Sequence, residues 1–333
     1  MPRSIQKTHK KRTAKSGILI LTNCTNRKRH PALRELRAQT LRRGSLQGVT
    51  SEWVAKLKRA SATLPPEALH VAERLYCGRA VAECVNAAEI MGANLAFISA
   101  GLGVVPRGKK IPSYGLTSSL GHPDSVIGRT EGGVNAASWW DALATAMKAK
   151  HPIAKFVSKS RARLVLIAMS GPYLKMIASD LASLSTRNRR KLRIIGPRRL
   201  KDVPDALQAQ WMPYDARLDA RKSAYRGTEA DFPHRALLHF THRILRKHAR
   251  ANSDDHSRKV RSSLAPFKAN ARSRGKSVTD EELVPVLRDL WSRHGGRRSA
   301  MLRDLRDNSG FACEQKRFQG LIKTYEGSLR AAN

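Results

Sequence analysis

Residues 17–29 read GILILTNCTNRKR, an apolar run that stops abruptly at polar residues. This pattern is typical of a buried parallel strand that delivers a loop at its carboxyl end. The pattern recurs in LAFISAGLGVV at 95–105 and RLVLIAMSGPYL at 163–174, and KLRIIGP at 191–197 predicts a fourth, shorter strand. Because helical stretches separate the strands, we predict an α/β fold with a mostly parallel, doubly wound sheet that binds ligands at the carboxyl ends of its strands.

The intervening segments predict helices over residues 31–60, from Glu67 to Met91, and from about Asn135 to Lys150. The second of these helices would place Cys77 and Cys84 on one face, where they pack. A basic helix is predicted for FPHRALLHFTHRILRKHAR at 232–250, followed by a weakly ordered stretch at 251–263. The tail predicts three short helices, the first capped by Ser277 and Asp280, with a turn at Gly295–Gly296.

These patterns predict four parts of the chain. They are a basic arm at 1–16, an α/β domain at 17–231, a basic helix and linker at 232–262, and a small all-helical module at 263–333. The three helices and the glycine turn favour a helix-turn-helix variant that contacts DNA. The alternative is a bundle that only packs against the first domain.

The charge of the chain favours a polyanionic partner. It has 63 Lys and Arg against 26 Asp and Glu, a formal net charge of +37. We predict nucleic acid, double-stranded DNA above all, held through phosphate contacts that are sensitive to salt. The predicted phosphate-binding residues are Lys28, Arg29, Arg79, Arg190, Lys191, Arg198, Arg199, Arg243, Arg246 and Lys247.

Several other function classes are disfavoured. The glycines at 101 and 103 lack the third glycine of a dinucleotide-binding fingerprint, and no GxxxxGK[ST] motif occurs. The histidines at 239, 242 and 248 lack acidic or cysteine partners at metal-ligand spacing, so we predict neither a metal nor a cofactor. The four cysteines lack CxxC spacing, and ILILT is too short for a secretory or membrane segment, which favours the reducing cytoplasm.

The strand ends supply the predicted site. Polar side chains and small residues follow three of the strands, and they should converge on one cleft if those strands are neighbours. Such a cleft, rich in hydrogen-bonding groups and poor in carboxylates, suits a flipped nucleobase. The residues predicted to line this base pocket are Thr25, Ser99, Gly101, Ser113, Tyr114, Ser170 and Tyr173.

Five short motifs carry a resemblance to a known group of proteins. TNCTNRKR, LYCGRAV, ISAGLG, IPSYGLT and MSGPYL together resemble the uracil-DNA-glycosylase-like superfamily, which includes YaaA-like proteins and archaeosine-type transfer-RNA modification domains. The resemblance covers roughly residues 17–200. Asn23 stands where these proteins tend to have serine, and Gly115 where an aspartate often follows the tyrosine. The strongly basic chain with its helical module is most similar to prokaryotic antiviral DNA glycosylases.

The resemblance implies a monofunctional DNA glycosylase that removes a bulky modified pyrimidine, such as glucosylated hydroxymethylcytosine, from phage DNA. Asn23 is then the first candidate for positioning water or contacting the base, and Asp124 is the nearest candidate carboxylate, unless it only caps its loop. Tyr114 or Tyr173 would stack on the base, unless both are core residues. The alternatives are a non-catalytic stress-response DNA-binding protein and a base-exchange enzyme acting on transfer RNA.

Overall fold

The computed structural model describes residues 17–269 and 276–331. The chain divides into two compact units, Met1–Ala269 and Asn270–Asn333. The segment 232–262 and residues 263–269 therefore belong to the first unit, because their apolar residues are part of its core. The predicted basic arm at 1–16 lies outside the described residues.

Seven strands occur in the described part of the first unit. They are β1 (Ile18–Asn23), β2 (Leu69–Val71), β3 (Asn94–Ser99), β4 (Gly103–Pro106), β5 (Lys110–Pro112), β6 (Leu164–Ala168) and β7 (Leu192–Ile195). Five of them form one sheet in the order β4-β3-β1-β6-β7, and β2 pairs with β5 in a separate two-stranded sheet.

The five-stranded sheet is mostly parallel, as the sequence predicts. Strand β1 lies at its centre and runs parallel to β3 and β6, with Ile20 opposite both Leu95 and Leu166. Strand β7 extends the parallel set beyond β6, and β4 is an antiparallel edge strand. The chain order of the four parallel strands across the sheet is thus second, first, third, fourth. The order reverses between β1 and β6, which is where doubly wound sheets bind their ligands.

The helices of the first unit cover the sheet, whose central strands β1 and β6 are buried on both faces. The α-helices are α1 (Leu46–Thr63), α2 (Ala72–Leu75), α3 (Arg79–Met91), α4 (Ala136–Ala146), α5 (Pro152–Ser160), α6 (Gly171–Met176), α7 (Ala178–Ala182), α8 (Thr186–Arg189), α9 (Phe232–His239) and α10 (Ser253–Leu264). A π-helix, Phe240–Leu245, continues α9. Short 3-10 helices occupy Arg34–Leu36, Ala38–Thr40, Pro66–Ala68, Ile127–Arg129, Leu200–Asp202, Asp205–Gln210 and Ala216–Asp219.

Two predicted helices are shorter than expected. The helix predicted for 31–60 begins only at Leu46, where the Ser45 side chain accepts a hydrogen bond from the Gly48 amide. The preceding backbone is instead held by Gly115, whose amide donates to the Leu36 carbonyl. The helix predicted from Glu67 to Met91 is interrupted at Gly78, whose φ of 109° is open mainly to glycine. Cys77 therefore lies outside α3, and its predicted helical packing with Cys84 is wrong.

A third prediction is wrong because it expected too little helix. The stretch 251–263, predicted to be weakly ordered, forms most of α10. The Asn252 side chain caps this helix by accepting a hydrogen bond from the Asp255 amide at 2.9 Å. His256, Val260 and Leu264 recur on one face and are buried, which ties the helix to the first unit. The exposed charged residues Asp254 and Arg258 lie outside this buried face.

The second unit is helical over its described residues. It contains α11 (Asp280–His294), α12 (Arg298–Asp307) and α13 (Gln315–Arg330) around a separate apolar core that includes Leu283, Met301 and Phe318. Thr279 caps α11 in a capping box with Glu282, so the predicted cap at Ser277 and Asp280 is wrong. Gly295 and Gly296 form the predicted turn before α12. No helix in the described part of the chain is long and apolar enough to cross a membrane.

Candidate functional site

The loops that follow β1, β3 and β6 meet at the carboxyl edge of the sheet, as their sequences predict. The Cys24 amide, just after β1, donates to the carbonyl of Ile98 in β3 at 2.9 Å. The Cys24 thiol lies 3.7 Å from the hydroxyl of Tyr173, which α6 carries in after β6. We call the residues gathered here the strand-end cluster: Asn23, Cys24, Lys28, Tyr76, Ser99, Tyr114 and Tyr173.

Tyr114 forms the buried base, or floor, of the strand-end cluster. Its hydroxyl hydrogen bonds to Ser99 Oγ at 2.6 Å and to the Tyr76 hydroxyl at 2.8 Å, and its side chain is fully buried. Burial raises the pKa of Tyr114 well above its ordinary value. Ser99 Oγ in turn accepts hydrogen bonds from the amides of Gly101 and Leu102. Tyr114 and Ser99 thus fasten the loop after β3 to the end of the sheet.

Lys28 lies over this floor. Its ammonium group is 4.2 Å from the centre of the Tyr114 ring and 5.9 Å from that of Tyr76, which is cation–π geometry. A backbone bridge between Lys28 and Tyr76 holds the loop in place. The ammonium also donates to the Thr25 carbonyl at 3.4 Å. No carboxylate in the described residues forms an ion pair with Lys28.

Burial and nearby charge act on Lys28 in opposite directions. Desolvation lowers the pKa of its ammonium, while the neighbouring acidic groups, Cys24 and Asp124 among them, act to raise it. A partly buried cation that lacks a contacting carboxylate keeps its capacity to bind an anionic group. Lys28 is therefore the group of the strand-end cluster best placed to meet negative charge.

Asn23 ends β1 with one acceptor unused. Its amide nitrogen donates to the Cys24 carbonyl at 3.1 Å, but its side-chain oxygen Oδ1 is buried and lacks a hydrogen-bond partner among the described residues. Leaving a buried acceptor unsatisfied costs about 1–3 kcal/mol. A donor supplied by a ligand or by water would recover that cost.

Asp124 is buried and tied to the protein at several points. Its carboxylate forms a salt bridge of 2.8 Å with Arg37 and accepts a longer hydrogen bond, 3.4 Å, from the Gln39 amide. The same carboxylate lies against Gly115, where a Cβ atom would be 2.6 Å from Asp124 Oδ2. Asp124 and any side chain at position 115 would thus compete for one space. The carboxylate anchors its loop, and its charge reaches Lys28 from there.

The glycine of the AGLG loop serves packing. A Cβ atom at Gly101 would lie 3.0 Å from the Tyr114 ring and 3.2 Å from the Trp53 ring. The Trp53 indole also donates to the Gly101 carbonyl at 2.7 Å, and the Trp139 indole to the Ala100 carbonyl at 2.7 Å. Two indoles therefore hold this loop from the core side. Gly101 is buried against them rather than open to a ligand.

The other predicted pocket residues divide into anchors and half-buried groups. Ser113 is buried and donates to the His30 carbonyl at 2.8 Å, which fixes the first loop. The Thr25 hydroxyl donates to the Arg27 carbonyl at 2.8 Å and also lies 3.3 Å from the Cys77 carbonyl. Ser170 is half-buried at the start of α6. Tyr173 is also half-buried, whereas Tyr114 is fully buried.

Three of the predicted phosphate-binding arginines are engaged by carboxylates. Arg198 pairs with Asp219 at 2.8 Å and with Glu229 at 3.1 Å. Arg79 pairs with Glu83 at 3.1 Å and with Asp231 at 3.8 Å, and the exposed Arg199 pairs with Asp202. Arg235, which the sequence did not predict, contacts both Asp219 and Asp231 at 2.6 Å. It thereby links the ion pairs of Arg198 and Arg79. We call Arg79, Arg198 and Arg235 with Asp219, Glu229 and Asp231 the arginine network.

The remaining predicted phosphate-binding residues are spread over the first unit. Arg190 and Lys191 precede β7, so they lie at the amino edge of the sheet, opposite the strand-end cluster, because the strand runs between them and Arg198. Lys191 also donates to the Asn188 side chain at 2.7 Å. The exposed residues that form no ion pair within the described chain are Arg29, Arg190, Arg243, Arg246 and Lys247.

The sequence did not predict a role for Tyr76. The signal for Tyr76 was its place in LYCGRAV, one of the motifs that carry the resemblance. Groups of three or more His, Cys, Asp or Glu side chains that could hold a metal ion are absent from the described residues. The chain matches no family model, no curated protein and no solved structure.

Proposed function

We propose that this protein is a DNA glycosylase of the uracil-DNA-glycosylase-like α/β type. In this proposal it flips a modified base out of double-stranded phage DNA, excises it and leaves an abasic site, as part of antiviral defence in the cytoplasm. The observation that carries the proposal is the convergence of three strand-end loops around Lys28, a partly buried cation, and Asn23, whose buried side-chain oxygen lacks a hydrogen-bond partner among the described residues.

The chemistry of the bond explains why this pair of groups matters. Cleaving an N-glycosidic bond with water puts positive charge on the sugar and negative charge on the departing base. The water oxygen bonds to C1′ of the sugar, the C1′–N bond breaks, and one proton of the water ends on the base. Asn23 Oδ1 would accept a hydrogen bond from that water. The Lys28 ammonium would stabilise the negative charge on the base.

The topology supports the same location. Asn23 ends β1, and Ser170 and Tyr173 follow β6, so these three residues flank the point where the strand order reverses. Ligands of doubly wound sheets bind at that point. In the proposal the half-buried Tyr173 supplies the stacking face for the base. The fully buried Tyr114 supports Lys28 from below.

In the proposal, Asp124 acts on Lys28 through the charge of its carboxylate. The proteins that this chain resembles often carry an aspartate where Gly115 stands, and the Asp124 carboxylate lies 2.6 Å from the place of a Cβ atom at that position. A carboxylate from a different point in the sequence thus occupies nearly the same space. It is paired with Arg37, so we assign it the task of keeping Lys28 protonated rather than of attacking the sugar.

DNA binding in the proposal rests on the net charge of +37 and on those predicted phosphate-binding residues that are exposed and form no ion pair within the described chain, such as Arg29, Arg243, Arg246 and Lys247. The second unit contributes further contacts as a helix-turn-helix variant. Contacts to phosphates predict that binding weakens steeply as salt increases, with a slope in log–log form of about −0.9 for each phosphate neutralised. An affinity that does not change with salt would contradict this part of the proposal.

The first experiment uses three matched duplexes containing cytosine, hydroxymethylcytosine or its glucosylated form. Released base is measured by mass spectrometry, and abasic sites are revealed by alkaline cleavage. Asn23→Ala and Lys28→Gln should each lower the rate of base release by about 10²- to 10³-fold, the usual effect of losing one preorganised group. The matched control is Arg27→Ala, which removes an exposed charge from the same loop.

The outcomes distinguish the proposal from its alternatives. Release from one modified duplex, lost in both variants with DNA affinity nearly unchanged, supports the glycosylase and names its substrate. Tight binding of all three duplexes without release would favour a non-catalytic DNA-binding protein. Incorporation of a free base into folded transfer RNA, without action on duplex DNA, would favour a base-exchange enzyme.

A further inference from the structure

A cavity of about 650 Å³ lies beside the edge strand β4, bounded by α1, α4 and β5. Its volume falls in the range of about 300–1,000 Å³ that is usual for small-molecule sites. Its walls include Leu57, Leu102, Ile111, Leu143 and Met147. None of the residues of the strand-end cluster lines it. The cavity is therefore separate from the site assigned to base excision.

The walls of the cavity are mainly apolar and suit the apolar part of a ligand. Trp140 contributes its ring, while the indole N–H is already directed to Asp180 Oδ2 at 3.3 Å. Ser61 is the one lining residue with a neutral polar side chain. Burying apolar surface here is favourable because it removes that surface from water. The interior thus fits an aliphatic or aromatic group.

The rim of the cavity has one sign of charge. Lys58, Lys109 and Lys110 are exposed lining residues, and the lining contains no Asp or Glu. None of the three lysines forms an ion pair within the described residues. Lys109 lies between β4 and β5 and Lys110 begins β5. The Lys109 carbonyl accepts a hydrogen bond from the Ala72 amide at 2.9 Å, which holds this segment in place. The rim therefore complements an anion.

We propose that this cavity binds a small amphipathic anion, with its apolar body against Trp140 and Met147 and its anionic head among Lys58, Lys109 and Lys110. A medium-chain carboxylate has this chemistry. The proposal does not depend on the glycosylase proposal, because the two sites share no lining residue and binding is measured without DNA.

The probe is sodium decanoate below its micellar concentration, titrated into the full-length protein by calorimetry at low salt. Decanol and decyltrimethylammonium have the same chain with a neutral or a positive head. We expect decanoate to bind about tenfold more tightly than either, because the rim charges favour only the anion. Equal affinity for decanol and decanoate, or no binding of decanoate, would overturn the proposal.

Two variants locate the site. Lys58→Ala should weaken decanoate binding by about two- to fivefold, the usual range for one exposed charge contact. The matched control Arg59→Ala removes a neighbouring exposed charge that does not line the cavity and should leave the affinity unchanged. Ala62→Trp, at an exposed lining position, should block entry and abolish binding while circular dichroism remains unchanged.

Three results, two with these variants and one with the parent protein, would overturn the proposal. Undiminished binding in Ala62→Trp would show that the ligand sits elsewhere. Equal losses in Lys58→Ala and Arg59→Ala would show a general charge effect. Competition between decanoate and a concentration-dependent dimer, seen by sedimentation, would assign the apolar cavity to a second copy of the chain.

Discussion

Lys28 and Arg235 are both cations held inside the first unit, yet their surroundings are opposite. Lys28 rests on two tyrosine rings and one carbonyl, without a carboxylate in contact. Arg235 is completely buried and directs its donors to Asp219, Asp231 and the carbonyls of Tyr225 and Thr228. The comparison teaches that a cation satisfied by the protein stabilises the fold, whereas a cation left partly unsatisfied remains available to a ligand.

The largest expected effect is the loss of stability on replacing Arg235, the cation whose donors the protein satisfies. Arg235→Met leaves Asp219 and Asp231 without their buried partner, and breaking such a pair from one side costs about 3–5 kcal/mol of the free energy of unfolding. Urea denaturation measures this loss. The control Arg199→Met, at an exposed ion pair, should change stability by less than about 1 kcal/mol. A loss in Arg235→Met no larger than in the control would show that the arginine network does not stabilise the fold.

The next effect concerns the space shared by Gly115 and Asp124. Gly115→Ala places a Cβ atom against the buried carboxylate and should cost about 1–3 kcal/mol of unfolding free energy. The control Gly128→Ala meets nothing closer than 3.8 Å and should be nearly neutral. The double variant Gly115→Asp with Asp124→Gly should recover part of the loss, because only one carboxylate then needs the space. If Gly115→Ala proves as stable as its control, this account of the loop is wrong.

Two buried histidines of α9, His234 and His239, should make stability depend on pH. Burial lowers the pKa of His234 and of His239 to about 4 from the ordinary value of 6.5. The unfolded chain therefore binds more protons between these values, and stability must fall as the pH drops through this window. We expect a loss of roughly 1–2 kcal/mol for each histidine at pH 5 relative to pH 7.5. His239→Gln should flatten the pH dependence of the melting curve, and an unchanged slope would contradict the assignment.

The smallest expected effect on stability follows from replacing Lys28, the cation that contacts no carboxylate. Lys28→Met removes a desolvated charge and loses a cation–π contact worth about 0.5–2 kcal/mol, so the two changes nearly cancel. We expect a free energy of unfolding within about 1 kcal/mol of the parent protein, together with loss of base release. A destabilisation as large as that of Arg235→Met would remove the contrast between the two cations.

The sequence predicted the sheet and the meeting of its loops because both follow from local patterns. The apolar runs at 18–22, 95–98 and 164–168 identified buried strands, and parallel neighbours bring their carboxyl ends together. The burial of Tyr114 and Gly101 could not be predicted, since it depends on Trp53 and Trp139 from other helices. Nor could the pairing of Arg198 with Asp219 or of Arg79 with Asp231, because these carboxylates are distant from the arginines in the chain, unlike Glu83, which lies one helical turn from Arg79.

The central position of β1 has a consequence for how the chain is made. It leaves the ribosome before either neighbour, and its partner β6 is separated from it by most of the first unit. At synthesis rates of about 5–20 residues per second, the apolar stretch ILILT waits roughly seven to thirty seconds for that partner. One edge of the strand on which the strand-end cluster is built thus stays unpaired until β6 is made, long after β3 is available to pair with the other edge. We therefore expect newborn chains to depend on chaperones over that interval.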